Sequence, residues 1–125
     1  AARQLERVAD HATKIAHLTL EFEDPVPDEV IDALYELHEE TRSTIDDGMN
    51  ALLAEDTEEA TRLANETRES VYEIDERARR IDELLRSLDP ARAHLLGLIV
   101  DSVSRSADYG GNIAETALQK AAPTP

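Results

Sequence analysis

Cysteine and tryptophan are absent from this chain of 125 residues, and aromatic side chains make up only 3% of it. Without cysteine there are no disulfides and no thiolate ligands, which excludes cysteine-based zinc fingers and iron–sulfur clusters. Long apolar runs are missing as well. None approaches the roughly 20 residues that a membrane-spanning helix needs. No basic flank, short apolar run and small-residue cleavage site combine into a signal peptide. The chain therefore reads as soluble. It opens on Ala1-Ala2 without a methionine and enters a periodic helix at once, so it is expected to be a piece of a longer protein.

Lysine is scarce. Lys14 and Lys120 are the two lysines among 13 basic residues, and arginine supplies the rest. Against them stand 28 acids, for a net charge of −15. Phosphate backbones and anionic lipid headgroups need a basic surface, so nucleic acid and membrane are poor partners for this segment. High acid content with little lysine and few aromatics resembles the cytoplasmic proteins of halophilic archaea. There concentrated salt screens like-charge repulsion, with a Debye length of about 3 Å at 1 M.

Apolar residues recur at alternating steps of three and four, the period of a helix, and no alternating β pattern competes. Four helices are expected. The first spans about 2–21, with the stripe Leu5, Val8, Ala12, Ile15 and Leu18 or Thr19. It ends in Glu23-Asp24-Pro25-Val26-Pro27, where two prolines stop one helix and suit the first turn of the next. The second spans about 27–54, with Val30, Leu34, Leu37, Thr41, Ile45, Met49 and Leu52 inward. Gly48 within it costs about 1 kcal/mol of helix propensity, which marks a close contact or a bend. Asp56, with Glu59 three residues on, caps a third helix that runs to about Leu88. Its stripe is Ala64, Thr67, Val71, Ile74, Ala78, Ile81, Leu85 and Leu88. Asp89-Pro90 then opens a fourth helix to about Ala121, with Leu96, Ile99, Val103, Ser106, Gly110, Ile113 and Ala117 inward.

Helices of about 30 residues are about 45 Å long, and short turns make neighbours antiparallel. The fold class is all-α: one elongated, antiparallel, up-and-down bundle of four helices over residues 1–125.

Two of the helices are alike. Leu5–Leu20 (LERVADHATKIAHLTL) and Val103–Leu118 (VSRSADYGGNIAETAL) match at an offset of 98 residues through Arg7/Arg105, Ala9/Ala107, Asp10/Asp108, Ile15/Ile113, Ala16/Ala114 and Leu20/Leu118. Each also carries a polar ridge opposite its apolar stripe: Arg3, Glu6, Asp10 and His17 on the first, Asp101, Ser104, Asp108 and Glu115 on the second. Glu6 and Asp10, four apart, share one helix face about 6 Å apart at Cβ. Clustered carboxylates suit hard or borderline cations. In a chain this acidic, a solvated acidic face is the plainer reading of any single pair.

The first segment resembles the helix signature of the PhoU family of phosphate-transport regulators, through Leu5-Glu6-Arg7-Val8-Ala9-Asp10-His11-Ala12. A weaker copy stands at Ser104-Arg105-Ser106-Ala107-Asp108 and Asn112-Ile113-Ala114-Glu115. The resemblance implies pairs of three-helix units with the signature on the last helix of each. Helices two to four then make one unit, and helix one is the last helix of a preceding unit. It implies no enzymatic activity, a cytoplasmic location, a homodimer, and a phosphate ABC transporter or a sensor kinase as partner. It also implies metal ions (divalent or ferric: Mg, Mn, Fe, Zn or Ca) on surface carboxylates. Carried over, these are Glu6, Asp10, Asp108 and Glu115, with Asp75 and Asp82 on helix three. Ser104 departs from the expected Glu, Lys14 from Asn and His17 from Glu. A Lys14 ammonium beside Asp10 supplies a point charge in place of a cation.

Other chemistry finds no support. Val8, Lys14, Tyr35 and Ala91 stand three before the four histidines, so no Glu-x-x-His pair builds a di-iron site. Gly110-Gly111 has no phosphate-loop context. The competing expectation is a structural dimerisation bundle attached to an upstream AbrB-like DNA-binding domain.

Overall fold

The computed structural model describes residues 2–19 and 26–121. Four helices account for nearly all of them: α1 (Ala2–Thr19), α2 (Asp28–Leu53), α3 (Thr57–Leu85) and α4 (Pro90–Ala121). No strand occurs among the described residues. The expected link through Glu23, Asp24 and Pro25 lies outside them, as do Pro123 and Pro125.

The helix ends follow local chemistry. The Pro27 carbonyl accepts from the Val30 and Ile31 amides at 3.0 and 3.1 Å, starting α2. At α3 the Asp56 carboxylate accepts from the Glu58 amide at 3.4 Å. Asp89 caps α4 more closely, accepting from the Arg92 amide at 3.1 Å and from its guanidinium. The sequence suggested that α3 continues to Leu88. It stops at Leu85, because Arg86, Ser87 and Leu88 turn more tightly, each amide reaching back three residues to Glu83, Leu84 and Leu85. Leu88 still packs against the core from this turn.

Among the described residues α2, α3 and α4 pack pairwise on one another, whereas α1 packs on α4. The three inner helices have 26, 29 and 32 residues, so they are about 39–48 Å long. α3 runs antiparallel to α2 and α4, and α1 antiparallel to α4, whereas α2 and α4 run parallel. Arg77 on α3 meets Glu36 and Glu40 on α2 at 3.2 and 2.9 Å. Gln4 of α1 meets Asn112 of α4 at 3.4 Å. Lys120 reaches the Leu52 carbonyl at 3.3 Å, placing the C-terminal ends of α2 and α4 together.

The core has two characters. One end is filled by large side chains, including Leu37, Ile74, Ile81, Leu85, Leu96 and Val100. Each such side chain contributes about 1.5–3 kcal/mol when fully buried. The other end is built from Ala51, Ala64, Ala114 and Ala117. Between the two ends Gly48 faces Gly110, and the helix axes come close enough that a Cβ on Gly48 would sit 2.8 Å from the Gly110 carbonyl oxygen. This contact corrects the α2 stripe. Toward the C-terminal end the buried residues are Thr44, Gly48 and Ala51, and Ile45, Met49 and Leu52 are only half-buried. The backbone-to-backbone contact rotates the glycine face inward and the larger side chains to the flank.

α4 is buried on more of its circumference than its expected stripe. Val100, Ser102, Ala107 and Ala114 are buried beside that stripe. A helix contacted by three others has no single inward face.

Candidate functional site

The polar ridge of α4 forms a cleft with α3. Asp75, Asp101, Ser104, Arg105, Asp108 and Tyr109 line a volume of about 410 Å³. The Ser104 hydroxyl donates to the Asp75 carboxylate at 3.1 Å, and Arg105 pairs with Asp101 at 3.2 Å. Burial pushes the Asp108 carboxyl above its ordinary pKa, and Asp75 and Asp101 add repulsion that Arg105 only partly offsets. Asp82, further along α3, is raised by burial and by Asp101, against Arg86. Glu115 lies two turns beyond Asp108, in an adjoining groove that Asp108 shares with Arg68, Val71, Tyr72, Gly111 and Asn112.

Of the six carboxylates expected on a common surface, the fold brings Asp75 and Asp108 into one cleft. Asp82 and Glu115 flank it. Glu6 and Asp10 are exposed on α1 and line neither the cleft nor the adjoining groove. Among the described residues no three histidine or carboxylate side chains form a group that could hold a metal ion. Ser104, which stands where the resemblance expects a carboxylate, occupies Asp75 through a hydrogen bond. Asp101, named in the sequence only as part of the ridge, supplies the third acid of the cleft.

The two similar helices meet each other. His11 and Tyr109 occupy corresponding positions of the two copies, and their rings lie 5.5 Å apart, tilted by 35°. Arg7 places its guanidinium 5.6 Å over the Tyr109 ring. Its counterpart, Arg105, lies near enough to His11 to influence its charge. Burial lowers the His11 pKa most, followed by Lys14 and Arg105, with Asp101 and Asp10 opposing. Each copy thus sets its arginine beside the ring of the other, as antiparallel pairing of a duplicated helix would. The environments then diverge: Ala107 is fully buried and Ala9 is exposed, because α4 is surrounded and α1 is not. The remaining stripe of α1, Ala12, Ile15 and Leu18, lies outside the residues whose side chains are described, as does His17.

A second groove was not anticipated. Between α1 and α2, over α4, Val8, His38, Thr41, Arg42, Ile45, Val103 and Ser106 enclose about 310 Å³. Thr41 is 4% exposed, and its hydroxyl has no hydrogen-bond partner. The sequence signal was present in the inward-facing stripe containing Thr41 and Ile45, but where α1 would sit beside it was not.

These features define an all-α bundle with an acidic cleft on one side and an apolar groove on the other. No helix among the described residues is long and apolar enough to cross a membrane. No protein-family model matches the chain, and no curated protein or solved structure is significantly similar to it.

Proposed function

We propose that this chain is a non-catalytic regulatory domain of phosphate transport, of the PhoU type, that acts in the cytoplasm by docking to proteins. The observation that carries this reading is the antiparallel meeting of the two signature-like helices, with His11 against Tyr109. It fits the unit-plus-one-helix organisation that the resemblance implies. The three mutually packed helices α2, α3 and α4 fit the complete unit, and α1, applied to α4 among the described residues, fits the last helix of another. Partners on this reading are a phosphate ABC transporter or a sensor kinase, together with a second copy of the chain. Asp75, Asp101 and Asp108 are the carboxylates best placed to attract cations, without forming a ready-made metal site.

The deciding experiment is deletion of the gene followed by measurement of phosphate uptake and of the starvation response. Deregulated uptake, restored by the intact gene, is expected. Normal control of uptake in the deleted strain would overturn the reading. Elemental analysis of the protein and its Asp108→Asn variant, purified in high salt, addresses the cation separately.

The competing reading, a dimerisation bundle for a DNA-binding domain, draws support from the apolar groove beside α1. It predicts that deletion alters transcription without altering phosphate uptake.

A further inference from the structure

We draw no further inference here: the strongest candidate, the apolar groove between α1 and α2 whose Thr41 hydroxyl has no partner among the described residues, carries nothing, because nothing in the structure shows what covers it.

Discussion

Gly48 and Gly110 meet backbone to backbone: a Cβ on Gly48 would stand 2.8 Å from the Gly110 carbonyl oxygen. Alanine is the better helix former by about 1 kcal/mol. Here the obstacle is a main-chain atom that cannot rotate away, so α2 and α4 must separate. Overpacking of this kind costs about 1–3 kcal/mol. Gly48→Ala is therefore expected to lower stability in denaturant unfolding by up to about 2 kcal/mol net. An increase would show that the contact is slack.

Gly97 gives the opposite outcome. A Cβ there meets nothing within 4 Å, and the residue lies well inside α4. Only the propensity term remains, so Gly97→Ala is expected to stabilise by about 0.5–1 kcal/mol. The same unfolding measurement checks it.

The two aspartate caps differ in strength. Asp89 accepts the Arg92 amide at 3.1 Å, whereas Asp56 accepts the Glu58 amide at 3.4 Å. Asp89→Ala is expected to lower Tm by a few degrees, and more than Asp56→Ala does. Its hydrogen bonds to Arg92 hold the Asp89 carboxyl below its ordinary pKa of 3.8. A depressed carboxylate contributes stability above 3.8 that disappears as pH falls through the folded value. The difference between Asp89→Ala and the parent is expected to vanish at that point in a series of melts against pH.

His11 gives the chain an acid-sensitive contact. Its pKa lies below the ordinary 6.5, through burial first and then Lys14 and Arg105, and its buried Nδ1 has no partner. The unfolded chain therefore takes up a proton more readily than the folded one. Stability is full above pH 6.5 and falls as pH drops through the lowered folded value. His11→Gln is expected to flatten this part of the profile. NMR titration of the His11 ring checks the sign, and a midpoint above 6.5 would contradict it.

Asp108 has the reverse sign. Its pKa is raised by burial, Asp75 and Asp101, so the charged form weakens the fold at neutral pH and protonation relieves it. The stabilising contribution is present below 3.8 and lost as pH rises through the raised value. Asp108→Asn is expected to raise Tm at pH 7 in low salt. The gain is expected to shrink toward zero in acid, and in molar salt where the repulsion is screened.

Much of the fold was legible because punctuation and period agreed. Pro27, Asp56 and Asp89-Pro90 stand at observed helix starts, and Thr67, Ile74, Ala78, Ile81 and Leu85 are buried as the α3 stripe requires. Where the reading slipped, partners decided. The late part of the α2 stripe turned because Gly48 found Gly110, and periodicity carries no information about which helix a glycine will face. The extra burial of Val100, Ala107 and Ala114 comes from α4 having three neighbours, which depends on topology. The acidic cleft was partly legible: Asp75 and Asp108 were named, but Asp101 joined them through the α3–α4 packing. Glu6 and Asp10, whose spacing first suggested a site, lie on the outer face of α1.

α4 has a mechanical consequence for whatever docks on this domain. One unbroken rod is gripped along its length by three separate neighbours, so it cannot yield at one point only. A push delivered through α1 must be taken up by α2 and α3 together, most stiffly where the two glycines leave no slack.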